Sequence, residues 1–123
     1  MKKALLVLGH GSQAKEADDI FFNIVEQVKK ISEFDLIGMG SLQISKPTFE
    51  EGVEDLVARG AEKIIIVPMF IFYGNHVKYD IPEELAKMKE KYPTVEFTMG
   101  RHIGADPRLA DIIEERAKEA VEV

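Results

Sequence analysis

Lys63-Ile64-Ile65-Ile66-Val67-Pro68-Met69-Phe70-Ile71-Phe72 is apolar from its second residue onward and shows no alternation of apolar with polar side chains. A strand written this way is covered on both faces, which is the condition of a central strand in a parallel sheet. Pro68 has no N–H to give to a neighbouring strand, so ladder pairing is expected to end there. Three more short runs, Leu5 to Leu8, Leu36 to Ile44 and Val95 to Met99, alternate with four amphipathic segments. The expectation is an α/β fold: one three-layer domain over residues 1–123, with a four-stranded parallel sheet flanked by helices.

The helices carry start signals. Thr48-Phe49-Glu50-Glu51 has the form of a capping box, Asp80-Ile81-Pro82-Glu83 repeats it with Asp80 as a structural N-cap, and Asp106-Pro107 opens the last helix. Gly60 closes the second helix. The first is expected over about Ala14 to Ile31, with Ile20, Ile24, Val28 and Ile31 as its core stripe.

Composition narrows the chemistry. The 123 residues, 46% apolar and 31% charged, suit one ordered globular domain. There is no cysteine, so disulfides, thiolate ligands and cysteine nucleophiles are excluded, and any metal must meet nitrogen or oxygen. The run after Met1-Lys2-Lys3 stops at Gly9-His10-Gly11 without a cleavage site and reads as a strand rather than a signal peptide. No stretch approaches the length of a membrane helix, and the expected location is the cytoplasm. A net charge of −6 without a dense Lys/Arg cluster argues against a nucleic-acid partner.

Ligands of open α/β sheets bind beyond the carboxyl ends of the strands. That rule selects the loops Gly9 to Gln13, Phe72 to Asp80 and Gly100 to Ala105, and the chain's three histidines, His10, His76 and His102, fall one in each. Neutral imidazole ligates cobalt, nickel, iron or zinc, and its pKa near neutrality also suits it to accept a proton. For His10 and His76 this role competes with that of a loop histidine bonded to a nearby carbonyl. His102, behind Arg101 at a presumed edge strand, reads as solvated or carbonyl-bonded.

Leu6-Val7-Leu8-Gly9-His10-Gly11-Ser12, Lys46-Pro47-Thr48, Val67-Pro68-Met69-Phe70 leading to Gly74-Asn75-His76 and Asp80-Ile81-Pro82, and Gly104-Ala105-Asp106-Pro107-Arg108-Leu109 occur in this order. The set resembles the small sirohydrochlorin chelatases of the CbiX type and spans nearly the whole chain. The resemblance implies a chelatase-like sheet with flavodoxin-like order and an enzyme that inserts a divalent metal, cobalt foremost with nickel or iron as alternatives, into sirohydrochlorin. It implies that His10 and His76 hold the metal and assist its exchange for pyrrole protons, with no cofactor beyond the metal substrate. The short form, by the same analogy, works as a homodimer with the tetrapyrrole between subunits.

The substrate is rimmed with carboxylates. Backbone N–H groups around Gly11 and Ser12 at a helix start, together with Lys46, Lys78 and Arg101, are expected to grip it, and Phe72, Tyr73 and Tyr79 to flank it. Gln43, Gly74 and Asn75 complete the expected substrate-contacting set. Gln43 is a departure, since many relatives place a Glu in this turn and a neutral amide cannot act as a base. A His-rich insert found in some short relatives is also missing. A non-catalytic metal or tetrapyrrole carrier using the same histidines is the alternative. A flavodoxin-like or receiver-type domain is disfavoured: no phosphate-cradling glycine series and no acidic pair follows the first strand.

Overall fold

The computed structural model describes residues 1–122; the side chains of Asn75, His76 and Val77 lie outside the described residues, as does Val123. Four strands and four helices alternate: β1 (Lys3–Gly9), α1 (Lys15–Ile31), β2 (Leu36–Ser41), α2 (Phe49–Ala58), β3 (Lys63–Pro68), α3 (Asn75–Lys91), β4 (Glu96–Met99) and α4 (Pro107–Lys118). All pairings are parallel, in the order β2-β1-β3-β4. The α/β architecture expected from the alternating pattern is the one observed.

Period-two alternation along the strands divides the core. Leu6 and Leu8 of β1 and Ile64 and Ile66 of β3 pack with Phe49, Val53 and Leu56 of α2 and with Ile81 and Met88 of α3. On the opposite face Val7 packs with Phe21 and Val25 of α1. Val67, in register with Val7, shares that second face, where it borders a hollow also lined by Leu109 of α4. The helices α1 and α4 therefore cover one side of the sheet, α2 and α3 the other.

The details correct several expectations. Strand β3 ends at Pro68, as its missing N–H requires, so the apolar run to Phe72 outlasts the strand, and β2 ends at Ser41 rather than Ile44. Strand β3 is interior, yet Ile64, Ile66 and Pro68 are buried while Lys63, Ile65 and Val67 are only half-buried. The physical reason is the helix over it: α4 contributes no buried residue, so cover on that face is thin. On α1 the buried residues are Phe21 and Val25, whereas Ile20 is 62% and Ile31 83% exposed and Ile24 and Val28 are half-buried. The apolar face sits one residue further on because the Phe21 ring packs over Gly9, where a Cβ would lie 2.9 Å from its Cζ.

Two of the three helix-start signals act as caps. The capping box of α2 is present: Glu51 N–H donates to Thr48 Oγ1 at 3.1 Å and Thr48 N–H to Glu51 Oε1 at 2.8 Å. Asp106 caps α4 ahead of Pro107, and Gly60, at φ +97°, follows the C-cap Arg59 of α2. Asp80, by contrast, is not an N-cap. Helix α3 begins five residues earlier, after Gly74, and carries Pro82 in its interior. The missing N–H of Pro82 costs a helical bond, but Ile81 is buried against the sheet and holds this part of the helix in place. Among the described residues no helix is long and apolar enough to cross a membrane.

Candidate active site at the carboxyl edge of the sheet

Three chain reversals meet where the strands end. The first, directly after β1, is fastened to the turn after β2: Leu42 N–H donates to Gly9 O at 3.0 Å, Gln43 N–H to His10 O at 3.2 Å, and Ser12 N–H to Ser45 Oγ at 2.8 Å. The approach is possible only because residue 11 is glycine. Gly11 adopts φ +96°, and a Cβ there would lie 1.7 Å from the Gln43 carbonyl oxygen. In the adjoining turn Ile44 is held at φ +64°, a left-handed conformation that β-branched residues rarely adopt, and marks a tightly constrained reversal.

The segment after β3 joins the other two. Met69 N–H donates to Leu8 O at 2.8 Å, which carries the chain on beside β1. Phe70 is buried and meets the His10 ring edge-on, with centroids 5.8 Å apart. Its carbonyl accepts the Gly104 N–H at 3.0 Å, tying in the loop after β4. Tyr73 then stacks on His102, with centroids 4.5 Å apart and planes inclined by 21°. His102 is thus half-buried against an aromatic ring, not solvated or carbonyl-bonded as the edge-strand reading expected.

His10 is exposed, and among the described residues no hydrogen bond reaches its ring nitrogens. It opens onto a hollow of about 180 Å³ whose walls include Gly9, Gly11, Ser12, Asp18, Phe21 and Met69. A second hollow, of about 420 Å³, is lined by Arg101, His102, Asp106 and Arg108. Arg108 is bound there through two side-chain nitrogens at 2.8 Å to Asp106. Hydrogen bonds from the Arg108 side chain, and then from its backbone N–H, hold the Asp106 carboxyl far below the usual carboxylate range.

The remaining expected residues fall as follows. Gln43, Lys46, Phe72, Gly74, Lys78, Tyr79 and Arg101 are exposed, and Gly11, Ser12 and Tyr73 are half-buried, all on loops or helix starts at this edge. Lys46 Nζ stands 3.9 Å from Glu51 Oε2. Ser12 is more committed than the sequence suggested: its N–H goes to Ser45, and its Oγ accepts the Ala14 N–H at 3.1 Å beside the start of α1. His76 lies in the first turn of α3, and its side chain, with that of Asn75, is outside the described residues. Among the described residues no three His, Asp or Glu side chains gather to hold a metal ion. Sequence reasoning missed Asp18 and Ser45, which no motif links, because 27 positions separate them.

The family model CbiX matches residues 4–120. A sirohydrochlorin ferrochelatase of Priestia megaterium is 39% identical over 116 residues, covering 94% of this chain and 44% of that protein. A sirohydrochlorin cobaltochelatase of Sulfolobus acidocaldarius is 36% identical over 119 residues, covering 97% of this chain and 93% of that one. The crystal structure of the sirohydrochlorin chelatase SirB from Bacillus subtilis subspecies spizizenii in complex with cobalt superposes with a TM-score of 0.91 at 34% identity, over 97% of this chain and 51% of SirB. The chain therefore spans about half the length of the larger relatives and nearly all of the short one. A family match from Ala4 to Ala120 and a shared fold make this chain a member of the CbiX family.

Proposed function

We propose that the chain is a sirohydrochlorin metal chelatase, with cobalt the foremost metal and nickel or iron as alternatives, acting as a homodimer. The observation that carries the proposal is His10, an exposed imidazole directly after β1 whose ring nitrogens take no hydrogen bond among the described residues, in a chain whose fold matches a chelatase crystallised with cobalt. The names of its relatives include both cobalt and iron enzymes, and the short relatives of near-equal length are cobaltochelatases. Imidazole accepts each of these ions, so availability and site geometry set the choice.

Insertion exchanges a hydrated divalent ion for two pyrrole protons. Neutral His10 and His76 present the ion to one face of the macrocycle and leave coordination positions open for pyrrole nitrogens to displace water. The two protons pass to imidazole, to solvent or to the substrate's carboxylates, since Gln43 is neutral. No electron is transferred, and neither a nucleotide nor an organic cofactor is needed. Lys46, Lys78 and Arg101 draw in the substrate's carboxylates, backbone groups at Gly11, Ser12, Gly74 and Asn75 line its path, and Phe72 and Tyr73 flank its plane.

A homodimer follows from size. The hollow at His10 holds about 180 Å³, below the roughly 300 Å³ at which pockets begin to enclose a drug-sized ligand. A second copy supplies the missing wall. Purified protein mixed with metal-free sirohydrochlorin and Co²⁺, followed by absorption, tests the function. Acceleration over the spontaneous reaction is expected; a rate no faster than the spontaneous one removes the enzyme and leaves a carrier.

A further inference from the structure

We infer that Ser45 and Asp18 are positioning residues that aim His10, a role that rests on the reading of His10 as a metal ligand. Ser45 is 5% exposed, and its hydroxyl is the hub of a small polar junction. It accepts the Ser12 N–H at 2.8 Å and stands 2.6 Å from Asp18 Oδ1 and 3.0 Å from Ser12 O. A hydroxyl has one proton to give. The shorter contact, to a carboxylate, is the stronger and takes it.

The junction lies two residues beyond His10 and closes a frame around it. On one side the Gln43 N–H grips the His10 carbonyl; on the other the Ser12 N–H is tied to Ser45, which Asp18 in turn anchors to α1. Gly11, between these two ties, has the Gln43 carbonyl oxygen where a Cβ would be and no freedom to shift toward it. Rotation of the His10 backbone is thereby fixed from both ends, and with it the Cα–Cβ direction from which the imidazole departs. Asp18 also lines the hollow beside His10, so its charge is held facing that space through the same bond. Ligand orientation by such indirect partners is worth about 10- to 100-fold in metal affinity or activity.

The test is a double-mutant cycle in the full-length protein. Ser45→Ala is expected to lower kcat for Co²⁺ insertion by about 10-fold or more while the KM for sirohydrochlorin stays within about twofold. Because His10→Ala leaves insertion near the spontaneous rate, the cycle is closed on Co²⁺ affinity, which Ser45→Ala is expected to weaken by about 10-fold in the parent and to leave unchanged in a His10→Ala background, because its effect runs through the imidazole. Asp18→Asn, which keeps an acceptor for the Ser45 proton, is expected to lose less than Asp18→Ala, and these two variants carry the comparison if Ser45→Ala does not fold. A loss by Ser45→Ala of equal size in both backgrounds, or no loss in the first, overturns the inference. A His10→Ala protein as active as the parent overturns instead the ligand role on which it rests, so the two failures are distinct.

Discussion

Gly11→Ala probes the junction between the first two loops. At φ +96° an L-residue pays about 1–2 kcal/mol in backbone strain. The new Cβ would fall 1.7 Å from the Gln43 carbonyl oxygen, against the roughly 3.3 Å of a normal C···O approach, so the loops must part by more than about 1.5 Å. That separation breaks the bonds from Leu42 N–H to Gly9 O and from Gln43 N–H to His10 O, each worth about 1 kcal/mol. Together the cost is about 3–4 kcal/mol, less than the roughly 5–15 kcal/mol by which a native domain is stable, so the variant is expected to fold at 25 °C. Its Tm is expected to fall by roughly 10 °C. Because His10 is displaced with the loop, Co²⁺ insertion is expected to drop at least about 100-fold. Thermal melts by circular dichroism and the absorption assay read the two effects. A melting temperature within about 2 °C of the parent together with unchanged insertion would refute the reasoning.

Away from the site, Gly52→Ala is expected to destabilise by about 2 kcal/mol or more, because its Cβ would lie 2.2 Å from the Met39 carbonyl oxygen, with α2 resting on the backbone of β2; calorimetry showing no change would contradict this packing. Acid should loosen the start of α4 only below the ordinary carboxylate range. The Asp106 carboxyl is depressed by its bonds from Arg108, so its contribution is complete above the ordinary carboxylate pKa of about 4 and is lost as pH falls through the depressed folded value. Hydrogen exchange in the first turn of α4 is expected to quicken on acidification below that range, and Asp106→Ala to remove this pH dependence; exchange equally pH-dependent in the variant would count against the cap. Sedimentation equilibrium is expected to give twice the subunit mass, and fully active monomer would contradict the shared cleft.

The parallel sheet and the loops at its carboxyl edge were legible because both are written locally, in apolar runs and in the residues that follow them. The capping box at Thr48 and Glu51 was readable for the same reason: both partners lie within one turn. Errors arose where distant packing outweighs a local pattern. The apolar run from Met69 to Phe72 resembles strand, but Phe70 leaves the sheet to pack under His10 and passes its carbonyl to Gly104. The α1 stripe was misplaced by one residue because Gly9 makes room for Phe21. The signature at Asp80 and Glu83 has the form of a helix start, yet the helix already exists there. Neither the stack of Tyr73 on His102 nor the link from Ser45 to Asp18 leaves a local trace, since each joins residues far apart in the chain.

Two histidines sharing the transferred ion is the claim on which the chemistry depends, and the initial rate of Co²⁺ insertion by His10→Ala and by His76→Ala, each made alone, tests it most directly. Each single variant is expected to fall to near the spontaneous rate while retaining the parent's circular dichroism. A folded variant of either kind that inserts cobalt as fast as the parent would contradict the account.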